Sequence, residues 1–389
     1  MLKLKKFLAV VICFVLVFAM GCSKGDDASK TDNESTQVPK PANVDELDKM
    51  IADMTLEEKA YQMFFVTPES ITGVGTVTAA GDQTAEALKK YPVGGIIYFS
   101  ANIEDRDQVS TMISNTQSYS KIPLFIGVDE EGGIVSRLGK NPAMEFPCYG
   151  PMADVGKGGN TAQAYEIGST LGAELTKLGF NVDFAPVADV IIDPENTEIG
   201  SRSFGTDAET VSSMVDQFVL GMEETKVSSV LKHFPGHGST TFNSHSGYSE
   251  SKRTMEELRE TELIPFKKGI EAGSDFVMIS HMSLVNAIEE KVPATLSKEI
   301  VTDLLKGELG FEGIVITDSM SMGAITTEYT VEESTVMAID AGVDIILMPA
   351  DIEKAHSAVV AAVKDGTLSE ERINESVKKI LTVKMEKIW

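Results

Sequence analysis

The chain is poor in cysteine. Of three, Cys13 and Cys22 fall in the first 22 residues, which leaves Cys148 alone for the remainder, so no internal disulfide can form there. Positive charge is scarce as well: 34 lysines and arginines stand against 59 aspartates and glutamates in 389 residues, a formal net charge of −25. Without the first 21 residues, which carry Lys3, Lys5 and Lys6 and no acid, the balance is 31 against 59, or −28. Such a surface repels phosphate and excludes nucleic acid as a partner. A membrane-spanning run is missing too, because the unbroken apolar stretch 7–20 has fourteen residues, too few to cross a bilayer comfortably. Neither a glycine-rich phosphate loop nor a metal-ligand set is present, and no cofactor is expected. What the chain does have is 42% hydrophobic residues with 24% charged, enough to bury a large core, which rules out a wholly disordered or fibrous protein.

The amino-terminal run, preceded by Lys3, Lys5 and Lys6, reads as the core of an export signal over residues 1–21. Ala19-Met-Gly-Cys22 is similar to a bacterial lipobox, in which the cysteine becomes the lipid-modified first residue. The resemblance implies lipidation at Cys22 and an extracytoplasmic protein anchored to the cell membrane; a plain secretory signal with an unmodified cysteine is the alternative. Residues 22–43 are mostly Lys, Asp, Ser, Thr, Asn and Pro with no aromatic side chain, a composition that cannot bury enough surface to fold and reads as a tether.

Residues 44–389 read as one domain. Eight short apolar or β-branched runs recur, at 63–67, 95–99, 124–128, 182–187, 229–233, 276–280, 314–317 and 344–348. Helix-period segments separate most of them. Ala164, Ile167, Leu171, Leu175 and Leu178 repeat at spacings of three and four and are closed by Gly179, and capping-box patterns start at Thr55, Thr254 and Thr367. Continuous apolar strands alternating with helices predict a parallel sheet, and eight units predict an α/β fold of the closed (β/α)8 TIM-like barrel type, with a doubly wound open sheet as the alternative.

In such a barrel the active site lies where strands end. Asp129, Asp189, Lys232 with His233, His281 and Asp318 follow or end the third to seventh runs, and the loops at about 129–160, 188–208 and 234–254 are longer than a connection needs. Asp318, leaving an apolar strand among serine hydroxyls that could hold it, suits an ionised nucleophile, or alternatively a helix N-cap. Three of five histidines crowd into Lys232-His-Phe-Pro-Gly-His-Gly238 and Asn243-Ser-His245. A zinc site is one reading, disfavoured by a spacing that fits no ligand pattern; backbone satisfaction in a buried turn is another, for His233 and His237. Asp129-Glu-Glu-Gly-Gly133 with Arg137, and Gly200-Ser-Arg-Ser-Phe-Gly205, supply charges and donors suited to a polyhydroxylated ligand.

Together these segments, with Met54-Thr-Leu-Glu-Glu-Lys59, Val93-Gly-Gly-Ile96, Asn181-Val-Asp-Phe-Ala-Pro-Val187 and Ala341-Gly-Val-Asp344, resemble glycoside hydrolase family 3, and within it the single-domain β-N-acetylglucosaminidases that trim cell-wall sugars. The resemblance implies a retaining exo-hydrolase acting on peptidoglycan-derived saccharides that contain N-acetylglucosamine, without cofactor or metal, and expected as a monomer. It implies Asp318 as nucleophile, His245 as general acid and base, and Asp129, Arg137, Arg202, Lys232 and His233 as residues holding the sugar hydroxyls. The aspartate that usually stands two residues before the histidine is Asn243 here, which contributes no charge and predicts a less basic His245 and slower turnover. Ile134 also departs from a basic residue frequent after the paired glycines. Competing expectations are a lipid-anchored sugar-binding or sensing protein weakened in catalysis, a β-glucosidase of the same family, and transfer to phosphate instead of water.

Overall fold

The structure, a computed structural model, describes residues 37–240 and 249–389. The export signal with Cys22, the tether through residue 36, and Asn243 and His245 lie outside the described residues. Each of the eight runs contributes a buried strand: β1 (Phe64–Val66), β2 (Gly95–Ile97), β3 (Phe125–Val128), β4 (Val182–Asp183), β5 (Ser228–Phe234), β6 (Phe276–Ile279), β7 (Ile314–Thr317) and β8 (Ile346–Leu347). Neighbours in sequence pair in parallel from β1 to β7, and β8 pairs with β1 through Phe64↔Ile346. The seam between β7 and β8 is held by a parallel bridge, Ile316↔Ile345, and by Thr317 N–H donating to Ile345 O at 3.0 Å. The sheet is therefore a nearly closed (β/α)8 barrel, and the open-sheet alternative falls.

Strand and helix boundaries follow from local chemistry. β4 is cut to two residues because Pro186 has no N–H for the ladder, although Val230 N–H still donates to Ala185 O at 2.8 Å and a bridge joins Val187 to Lys232. Helix Thr161–Leu178 buries the predicted Ala164, Ile167, Leu171, Leu175 and Leu178 and stops at Gly179, which takes φ 94° so that the Phe180 N–H can reach the Leu175 carbonyl at 3.1 Å. The boxes Thr55/Glu58 and Thr254/Glu257 form as predicted. The box at Thr367 does not: Ser369 caps helix Glu370–Lys387 by accepting from Arg372 N–H at 3.0 Å, while the Thr367 N–H is held by Asp365. The preceding helix ends in a left-handed Gly366, and that turn hands the capping position to the second hydroxyl of Thr-Leu-Ser.

Aromatic rings fill the barrel interior. Phe65 meets Phe184 edge-on at 5.5 Å, and Phe125 meets Phe276 at 5.2 Å. Gly95 and Gly127 make room for them, since a Cβ on either would lie 2.7 to 2.8 Å from the Phe65 ring. At the end where strands begin, Nζ of the fully buried Lys384 lies 5.0 Å above the Phe125 ring and donates to Gln62 Oε1 at 2.9 Å, and burial pushes this amine well below the ordinary lysine value. The last residues of the segment read as a tether run along this same end. Val38 N–H donates to Lys121 O at 2.7 Å, Trp389 Nε1 donates to Val38 O at 3.4 Å, and Asn43 caps helix Val44–Asp53.

Candidate active site

Past β3 the chain continues extended through Asp129, Glu130 and Glu131, so alternate side chains face opposite ways. Glu130 turns into its own loop, where it accepts from Ser136 Oγ and from the backbone N–H groups of Arg137, Leu138 and Gly139 at 2.8, 2.7 and 3.2 Å. Burial pushes its carboxyl up, and those bonds offset part of the rise. This one side chain folds the 130–139 hairpin back and brings Arg137 over the barrel mouth. Asp129 and Glu131 face the mouth. Asp129 accepts from Arg137 Nη2 at 3.3 Å and from Lys232 Nζ at 3.0 Å.

Glu131 is the hub of the charges. Arg202, from the loop after β4, grips it with Nε and Nη2, both at 2.8 Å, and Lys232 Nζ lies 2.5 Å from Glu131 Oε1. Burial alone would raise the Glu131 carboxyl, yet Lys232 and Arg202 overcome it and hold the group down at about 2. The reverse holds for Lys232: burial would lower its ammonium, and Glu131 with Asp129 raise it instead.

His233, at the end of β5, places Nδ1 2.8 Å from Asp189 Oδ2 and Nε2 3.4 Å from Arg202 Nη2. A guanidinium only donates, so Nε2 accepts and the ring proton on Nδ1 goes to Asp189. Asp189 also accepts from the backbone N–H groups of His233 and His237, at 3.2 and 2.7 Å, and so locks the 233–237 turn. Burial would raise Asp189, but His233 beside it draws it below the ordinary value. His237 is buried within that turn. Its Nδ1 meets Thr240 Oγ1 at 2.9 Å, its carbonyl accepts from Asn196 Nδ2 at 2.8 Å, and burial pushes the imidazole down.

Asp318 follows β7, its N–H donating to Ile279 O at 2.9 Å, with its carboxylate on the wall of the mouth. It caps no helix, because the next one, Gly323–Thr326, begins beyond Met322. The expected serine hydroxyls do not hold it either: Ser319 Oγ and Ser321 Oγ bond each other at 2.8 Å, and Asp318 Oδ1 accepts from the Ser319 backbone N–H at 2.7 Å. That amide lies one residue away in the tight turn and reaches the oxygen first. Burial would raise the Asp318 carboxyl, and His281 and His233 reverse the sign, so the group is drawn below the ordinary value.

The structure thus places Asp129, Arg137, Arg202, Lys232, His233 and Asp318 around one cavity of about 480 Å³, a volume in the range of small-molecule sites. Phe99, Phe184, Met278, Met322 and Met348 form its apolar wall. Donors and acceptors converge on one side, an ionised carboxylate stands on another, and apolar surface fills the gap, which suits a sugar ring with an apolar face and hydroxyl edges. Among the described residues no three His, Cys, Asp or Glu side chains are arranged to hold a metal ion. Ile134 points outward at 57% exposure. Sequence reasoning gave no role to Glu131 or Asp189. The first was available from alternation, since Asp129 and Glu131 must share a face; the second was marked only by its place at the end of a strand.

Residues 55–383 match the family model described as the glycosyl hydrolase family 3 N terminal domain. The chain is 32% identical over 333 residues to beta-hexosaminidase A of Pseudoalteromonas piscicida, covering 79% of this chain and 56% of that protein. It is 34% identical over 265 residues to a beta-hexosaminidase of Tolumonas auensis, covering 67% and 77%. Among solved structures, a family 3 beta-N-acetylglucosaminidase from Paenibacillus sp. str. FPU-7 superposes with a TM-score of 0.80 at 36% identity, over 86% of this chain and 63% of that one. A beta-N-acetylhexosaminidase from Beutenbergia cavernae gives 0.71 at 31%, over 86% and 99%. The chain therefore spans little more than half the length of the first of these relatives and nearly the whole of the last. With a matching domain model, relatives above 30% identity and the same barrel, the chain belongs to glycosyl hydrolase family 3.

Proposed function

We propose that the protein is a retaining exo-β-N-acetylglucosaminidase that removes terminal β-linked N-acetylglucosamine from peptidoglycan-derived saccharides, working outside the cytoplasmic membrane on a lipid anchor at Cys22. One observation carries the reading: Asp318, drawn toward ionisation, shares a single cavity with an array of fixed cations and carboxylates suited to sugar hydroxyls. The names borne by its relatives, beta-hexosaminidase and beta-N-acetylglucosaminidase, support the choice of sugar.

In this reading Asp129, Arg137, Arg202, Lys232 and His233 hold the ring while an Asp318 oxygen attacks the anomeric carbon. The bond to the leaving oxygen breaks as His245 gives that oxygen a proton, leaving an α-linked glycosyl ester on Asp318. Water then attacks the same carbon, His245 takes the water's proton, and the Asp318 carboxylate departs, so two inversions give net retention. The test is release of 4-nitrophenol from its β-N-acetylglucosaminide and its β-glucoside. Turnover of the acetamido sugar alone, lost by roughly three orders of magnitude or more in Asp318→Ala and strongly reduced in His245→Ala, is the expected result. Turnover of the glucoside instead would make it a glucosidase. Binding of N-acetylglucosamine without turnover of either would make it a sugar receptor, the reading that Asn243 favours.

A further inference from the structure

His281, two residues past β6, has no role in the mechanism above and does not line the cavity, yet it is buried to 1% exposure beside the nucleophile. Its two ring nitrogens both face oxygen. Nε2 lies 2.9 Å from the carbonyl oxygen of Ser319, which has no hydrogen to give, so Nε2 must carry one. Nδ1 lies 2.8 Å from Thr295 Oγ1. That hydroxyl also sits 2.7 Å from Ser280 O and 3.2 Å from Ile279 O, two more pure acceptors. Its one hydrogen is directed at a carbonyl, so it presents a lone pair to His281, and Nδ1 must carry a hydrogen as well. Turning the hydroxyl toward Nδ1 instead would leave its bare oxygen 2.7 Å from the Ser280 oxygen with no hydrogen between them, even though that carbonyl also accepts from the Thr295 backbone N–H at 3.2 Å.

An imidazole with hydrogen on both nitrogens is a cation. The geometry points to His281 as a positioning residue for the nucleophile: an imidazolium clamped between Thr295 and the Ser319 carbonyl, one residue from Asp318, which fixes the 318–319 turn and supplies a constant positive charge facing the Asp318 carboxylate. Among the described residues, His281 from the end of β6, Lys232 and His233 from β5, and the Ser319 backbone N–H act on Asp318, with His233 turning its one ring proton toward Asp189. After burial, which works against ionisation, His281 is the largest influence and favours it. His233 and Lys232 also line the cavity. His281 sits behind the wall, so its charge holds through both displacement steps. The inference rests on reading Asp318 as the nucleophile.

Two measurements on the full chain test it. The first counts ring N–H protons of His281 at neutral pH by nitrogen-15 NMR of histidine-labelled protein, assigned through bonded ring correlations. Two are expected. The second is the pH profile of kcat/KM in His281→Gln, whose amide can still donate to the Ser319 carbonyl but carries no charge. The acid limb marks protonation of Asp318, and removing a nearby cation raises the pH at which that occurs. The limb should move up by about one pH unit or more, with kcat reduced roughly tenfold. A single ring N–H, or a folded His281→Gln whose acid limb stays at the wild-type pH, overturns the proposal. If His281→Gln does not fold, or if the protein turns over no glycoside at all, the ring-proton count still decides the charge, and only the latter result counts against the hydrolase reading.

Discussion

Two buried charge clusters sit at opposite ends of the same barrel, and they are built differently. Where strands begin, the fully buried Asp344 accepts from Val315 N–H at 3.0 Å, Ser376 Oγ at 2.7 Å and Arg372 Nη2 at 3.3 Å, with the ammonium groups of Lys306 and Lys379 at 3.5 and 3.6 Å. Each lysine is tied at the same time to a backbone carbonyl, Lys306 to Gly342 and Lys379 to Gly313. That cluster fastens helix Glu370–Lys387 to β7 and β8. Where strands end, Glu131 draws in Arg202 and Lys232 in much the same way, but both cations also border a cavity. Burial and pairing are therefore shared by a fastening and a binding site. What separates them is whether the donors face a void with bonding capacity left over.

The comparison predicts effects of different kinds as well as sizes. Asp344→Ala leaves three cations without their buried carboxylate and should cost about 3–5 kcal/mol of stability, seen as a large fall in Tm, with kcat of the folded fraction unchanged. Glu131→Gln, whose amide keeps an acceptor for Arg202 and Lys232, should cost less, and should appear mainly as an increase in KM of more than tenfold, since both cations lose the charge that orders them. An equal loss of Tm in both variants, with KM unmoved in the second, would erase the distinction.

Acid unfolding sharpens the same point. Because the folded Glu131 carboxyl lies at about 2 against an ordinary 4.5, its stabilisation is complete above 4.5 and is lost as pH falls toward 2. Glu131→Gln should lack that part of the acid slope. The smallest change is expected outside the described residues: Asn243→Asp should raise kcat a few-fold, about 1 kcal/mol, and move the limb set by His245 to higher pH. Neither change would mean that the amide costs the enzyme nothing.

Strand positions were legible because each barrel strand is buried on both faces and so must be apolar throughout. Their order follows from chain order in a parallel barrel. The mouth residues were legible for a related reason, since a polar side chain just beyond such a strand stands at the barrel mouth, although Glu130 and His281 turn away from the cavity. Pairing was harder to see. Glu131 finds Arg202 and Asp189 finds His233 across tens of residues of chain, and only the closed geometry brings them together. Hydroxyls misled in two places. Ser319 and Ser321 bond each other instead of Asp318, and Ser369 takes the cap expected of Thr367, because a hydroxyl has several partners within reach and the sequence does not rank them. Thr330 and Glu333 share the spacing of the other boxes and cap helix Val331–Ala341.

The pairing of Val38 with Lys121 and of Trp389 with Val38 fixes where the chain enters and leaves the barrel. Both crossings are on the strand-beginning end, behind the floor that Lys384 and Gln62 close. A support, a label or another protein module joined ahead of Gln37 or after Trp389 is thus attached at the back of the molecule, and the mouth stays turned toward whatever approaches from the other side.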